Sequence, residues 1–175
     1  LSDLFPQVER YEQIQAQLGS DKVHFISYPV SAFAVPKELS AKMPRSIFTA
    51  FQHFAPKEAT RILADALAEG NGIFIAEFFE RRLSPIFLMP FGLVAIPVLA
   101  SMGNFSFKRV LLSPIVALIG IFDGIVSVLR TYTPNEIVAM IPDETREELT
   151  IEHKILPYLP GTRAYCIAIT KKRKP

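Results

Sequence analysis

The sequence predicts an α/β fold in which a parallel sheet, covered by helices on both faces, is closed by one antiparallel hairpin. Three observations carry this. Short runs rich in Ile, Val and Phe alternate with segments of helical period, and their near-continuous apolarity suits strands buried on both faces. At the C-terminus two strand-length runs are joined by too few residues for a crossover.

Taken in order, the first element is a helix over about 7–18, with Val8, Tyr11, Ile14 and Leu18 on its apolar side and Gly19 at its end. Strands are expected over 22–27, 46–51 and 72–78, each bounded by turn residues. Between the last two, Ala59, Ile62, Leu63, Ala66 and Leu67 share one face of a helix over 56–69. Pro56 opens that helix and Gly70 follows its end. Strand, helix, strand in this alternation implies right-handed crossovers. Further on, Thr133-Pro134-Asn135-Glu136 has the form of a capping box, which predicts a helix from Pro134 to about Ile141. The hairpin strands are then expected over 149–155 and 163–170.

Composition narrows the class. The chain has 175 residues, 50% of them hydrophobic, and 19 Lys and Arg against 17 Asp and Glu leave a net charge of +2. That excludes disorder and disfavours binding of nucleic acid through bulk charge. The lone Cys166 cannot form an intrachain disulfide, and neither it nor the three histidines sits at metal-ligand spacing, so no metal site is expected.

The mean hydropathy of +0.27 is high for a domain of this size, and the excess is local. No charge occurs over the 25 residues between Arg82 and Lys108, and a second apolar run over 110–129 is interrupted only by Asp123. Each is long enough to cross a bilayer. Pro85, Pro90, Pro97 and the charge of Asp123 argue instead for a monotopic or protein-covering helical lid, and core helices of a larger assembly give the same pattern. Residues 83–123 are therefore read as an apolar helical insertion in an α/β domain formed by 1–82 and 124–175.

Several side chains could carry chemistry. His53 follows the 46–51 strand, at the edge where ligands of open α/β sheets collect, and its imidazole could take a proton from an acceptor; a structural histidine explains the same position. Glu77, with Glu80 and Arg81-Arg82 after it, lies near that edge and could orient an acceptor or belong to a charged lid boundary. Asp123, Arg130 and Tyr132 serve either a substrate or the pinning of the lid.

The strings SDLFPQ at the start, FQHFAP in the middle and FDGIVSVLRTYTPNEI after the apolar insertion resemble those of class I S-adenosylmethionine-dependent methyltransferases, and more narrowly a bacterial group of them. The last string is the most specific, and the resemblance runs from Leu1 to about Lys172. It implies a Rossmann-like, three-layer α/β/α sheet of seven strands and S-adenosylmethionine as cofactor. The resemblance does not name the acceptor; the uncharged run directly after a presumed active-site strand points to a small-molecule or lipid-like one and to a cytoplasmic location peripheral to the inner face of the membrane, and the net charge of +2 leaves no nucleic-acid partner expected. By the same resemblance Asp3 accepts hydrogen bonds from the cofactor ribose, with a helix N-cap as the plainer role. Ser31, where the family usually has Asp, and Ala32 meet the adenine. The family's first strand and glycine-rich loop have no counterpart, so the chain reads as truncated at its N-terminus. Two rival functions stay open at this point: a non-catalytic cofactor-binding or assembly protein of the same fold, and a small membrane protein with a two-helix hairpin.

Overall fold

The structure is a computed structural model, described here for residues 1–40, 44–69, 72–91, 107–159 and 162–172. Helix α1 spans Val8–Leu18, α2 Lys37–Ser40 and β1 Arg45–Phe48; a 3-10 turn, Phe51–His53, leads into α3, Pro56–Glu69. Strand β2 spans Gly72–Glu77, α4 Leu83–Leu88 and α5 Phe107–Arg130, and α6, Pro134–Ala139, and α7, Asp143–Arg146, lead to β3, Leu149–Leu159, and β4, Thr162–Lys171. The strands form one mixed sheet in the order β1-β2-β4-β3, with β1 and β2 parallel and β4 antiparallel to both its neighbours. The hairpin is thus formed, and its last strand lies inside the sheet, against β2.

Register explains the core. Ile73 pairs with Ile169, Ile75 with Ile167 and Glu77 with Tyr165, so all six side chains share one face. That face is covered by Ile62, Leu63 and Ala66 of α3 and by Ile137 of α6, each almost fully buried. Burying an Ile or Leu of this kind contributes roughly 1.5–3 kcal/mol. Gly72 starts β2 at φ 147, where a Cβ would run into the Ile169 carbonyl, so glycine permits the close β2–β4 approach.

Three expectations are corrected. Residues 22–27 form no regular strand among the described residues. Leu1 N donates to the His24 carbonyl at 2.5 Å and Ile26 N–H to the Leu1 carbonyl at 2.9 Å, so this run meets the Leu1 segment in a parallel-ladder pattern without joining the sheet. Strand β1 stops at Phe48, because Thr49 at φ 51 turns the chain out of the sheet; Phe51 begins the 3-10 turn instead of ending a strand. Finally, among the described residues only one sheet face is fully covered. On the other, Phe48 packs on Phe74 with ring centroids 5.8 Å apart yet stays 63% exposed.

The predicted helix at Pro134 has both capping-box bonds. Glu136 N–H donates to the Thr133 hydroxyl at 3.3 Å, and Thr133 N–H donates to the Glu136 carboxylate at 2.8 Å. Thr133→Ala is expected to cost about 1 kcal/mol, read as a lower denaturant midpoint with unchanged slope. In the apolar region α5 is a single helix of 24 residues that runs through Asp123 to Arg130. Its inner side includes Ser113, Ala117 and Val128, and Met89 sits over Gly124. Residues 92–106 of the insertion, Gly70 and the Pro160-Gly161 turn lie outside the described residues.

Candidate functional site

Beyond the ends of β1 and β2 the chain builds a polar cluster against the core. Glu77, the last residue of β2, is 2% exposed. Its Oε1 accepts from Gln52 N–H at 3.3 Å, while its Oε2 is buried with no hydrogen-bond partner among the described residues. Burial pushes the carboxyl above its ordinary range, and the backbone donors of Gln52 and Phe51 only partly offset this. Beside it, the Tyr165 hydroxyl donates to the Tyr132 carbonyl; burial, and then the Glu77 charge, raise that phenol as well.

The segment after α5 ties this edge together. The Thr131 hydroxyl, fully buried, lies 2.8 Å from both the Ser127 carbonyl and Gln52 Oε1. With one proton it donates to Ser127, and the Gln52 amide is satisfied when turned so that its NH2 donates to the hydroxyl. Arg130 donates to the His53 carbonyl at 3.1 Å and the Tyr132 hydroxyl to the Phe54 carbonyl at 2.8 Å. Arg81 pairs with Glu136 at 2.5 Å; burial alone would raise the Glu136 pKa, but the bonds from Thr133 and Arg81 outweigh it and hold the carboxyl below its ordinary range. The most recognisable sequence string is therefore a clamp between the apolar helix and the 3-10 turn. The lone non-glycine residue at positive φ among the described residues, Thr49, enters that same turn.

The predicted site residues fall into separate places. Glu77, Arg130, Tyr132 and the His53 backbone meet at this cluster, with the His53 side chain itself exposed. Asp123 is exposed on α5, two turns before Arg130. Asp3, Ser31 and Ala32 belong to a second place: Val30 N–H donates to the Asp3 carbonyl at 2.8 Å, which sets Asp3 and Ser31 on neighbouring extended segments. Asp3 Oδ1 accepts from Phe5 N–H at 2.9 Å, a local Asx turn and not the helix cap, which falls at Gln7, and Ser31 Oγ accepts from Phe33 N–H at 3.2 Å. Each oxygen keeps acceptor capacity beyond these bonds. An open depression of about 380 Å³ is lined by Asp3, Phe5, Gln7, Arg10 and Tyr11. The Ala32 carbonyl accepts from Arg45, which also pairs with Asp65 at 2.8 Å and so ties this loop to α3.

Sequence reasoning missed Gln52, Thr131 and Tyr165. Gln52 stands next to the histidine that drew attention, and Thr131 lies inside the specific string. Tyr165 shares the alternating face of Ile167 and Ile169, which is a detectable signal for a buried hydroxyl that needs a partner. Among the described residues, no group of three His, Cys, Asp or Glu side chains is placed to hold a metal ion.

No family model and no curated protein matches the chain. A solved structure from Rhodobacter sphaeroides, provisionally described as a Zn-dependent alcohol dehydrogenase, is similar at 13% identity with a TM-score of 0.46, over 97% of this chain and 74% of that one. A likeness at this level bears on neither activity nor ligand.

Proposed function

We propose that the chain is part of an S-adenosylmethionine-dependent methyltransferase acting on an apolar or lipid-like acceptor. The observation that carries the cofactor assignment is the pairing of Val30 with Asp3, which brings the segment of Ser31 next to that of Asp3, a residue that also lines an open depression. The residues fit the cofactor in kind. Asp3 can accept from a vicinal diol, since a carboxylate offers acceptor capacity beyond its bond to Phe5. Ser31 and Ala32 would border the adenine, with a hydroxyl in place of a charged acceptor and a correspondingly weaker contact. The bound cofactor would supply an electrophilic methyl group.

At the sheet edge the exposed imidazole of His53 would take a proton from the acceptor. Glu77 is buried beneath the turn and acts as a positioning residue through Gln52. The apolar acceptor class follows from α5, whose C-terminal residue Arg130 is bonded to His53 and whose outer face is apolar. In this reading the protein is cytoplasmic. Calorimetric titration of the protein expressed from its gene with S-adenosylmethionine tests the reading: Asp3→Ala should weaken binding at least tenfold without changing the circular dichroism spectrum. Equal affinity in the two proteins would remove Asp3 from the cofactor site.

A further inference from the structure

We infer that α5 is a monotopic membrane anchor, with its outer face seated in the interfacial layer of an anionic bilayer while its last turns stay docked on the α/β domain. This inference is independent of methyl transfer. Its first support is the breadth of the exposed face. Leu111, Leu112, Ile115, Val116, Ile119 and Phe122 are all more than half exposed, and at 100° per residue they sweep an arc of about 140°. A second copy of this chain packing helix to helix would use a narrow seam, so much of that arc would stay wet in a dimer. A lipid layer covers a broad apolar arc whole.

Length and charge then separate lying on the membrane from crossing it. By composition Leu111–Arg130 is long and apolar enough to span, with a mean hydropathy of 2.2 and only 17% burial. The structure removes part of that length. Val128 is fully buried, Thr131 bonds to Ser127 and lies against Gln52, and Arg130 holds the His53 carbonyl, so the C-terminal turns belong to the domain. What remains lies between two exposed charges, Lys108 and Asp123. The fifteen helical steps from one to the other rise about 22 Å, short of the roughly 30 Å hydrocarbon core. Lying in the plane, the same segment carries these charges only at its two ends, where the Lys108 stem can snorkel to the headgroups and Asp123 marks the turn at which the helix leaves the lipid for the domain. No acidic side chain occurs between Lys108 and Asp123, which leaves the entry end positive and matched to anionic lipid. Next to α5, α4 adds Leu83 and Phe87, one turn apart and each about 70% exposed.

Flotation of the gene-encoded protein with vesicles of three parts phosphatidylcholine to one part phosphatidylglycerol provides the test. The wild type should float with the vesicles, and the double variant Ile115→Asp/Ile119→Asp should do so at least tenfold less. Both positions are exposed, so the variant should keep the wild-type circular dichroism spectrum and melting temperature; if it unfolds, the single variant Phe122→Ser replaces it. Single cysteines at positions 108 and 123, introduced on a Cys166→Ser background, should both react with a membrane-impermeant maleimide from the side to which protein was added. Reaction of only one of the two from that side would show a spanning helix and overturn the inference. So would absence of flotation accompanied by a dimer in analytical ultracentrifugation, which would identify a second copy as the cover.

Discussion

Replacing Phe51 with Ala should lower stability by about 3–5 kcal/mol, the range for removing a fully buried aromatic ring. Phe51 has no exposed surface, and it opens the 3-10 turn that carries Gln52 and His53. Its ring meets Tyr132 at 5.8 Å and Phe54 at 6.3 Å, both edge to face, and it belongs to the cluster that joins α3 to β2 and β4. The loss therefore acts on core and site together. For a chain of this size each kcal/mol shifts the melting temperature by about 2–4 °C, so a fall of roughly 6–20 °C is expected by calorimetry. Hydrogen exchange at Gln52 and His53 should rise by more than at β4. A cost below about 1 kcal/mol would show that the turn is not packed as described.

The second large effect is expected at Glu77. Its carboxyl is raised by burial above its ordinary value of 4.5, so the folded chain holds the proton more tightly than the unfolded chain. The resulting stability is fully present below the unfolded value, is lost as pH rises through the folded value, and changes no further above it. Glu77→Gln keeps an acceptor for Gln52 N–H without a titrating charge, and should flatten this dependence and be at least as stable as the wild type at pH 7. Glu77→Ala should instead cost about 1–3 kcal/mol, because Gln52 N–H loses its partner in a buried site. Denaturant midpoints measured from pH 4 to pH 8 read both outcomes. An unchanged pH profile in Glu77→Gln would mean that this carboxyl is hydrated.

Local signals foretold most of the regular elements. The limits of α3 and the Thr133 capping box depend on neighbours within four residues, and both match the structure because nothing distant competes with them. The β4 run likewise declared itself as a strand through its apolarity, although that left open which of its two faces would be the buried one. The 22–27 run differs for the opposite reason: a strand exists only through its partner, and its apolar residues carry no information about which segment that partner is. Thr49 could not be foreseen, since positive φ at a β-branched residue is imposed by tertiary context. At the site, Glu77 and the Arg130–Tyr132 string were visible as residues, but not their task. That depended on 3-10 geometry bringing the carbonyls of His53 and Phe54 within reach of side chains nearly eighty positions away.

The central claim is that Asp3 and Ser31 border a cofactor site, and titration of S-adenosylmethionine into the protein expressed from its gene tests it most directly. Saturable binding at one molecule per chain, weakened at least tenfold by Asp3→Ala, is the predicted result. No heat of binding up to millimolar ligand, from protein shown to be folded by its circular dichroism, would contradict it.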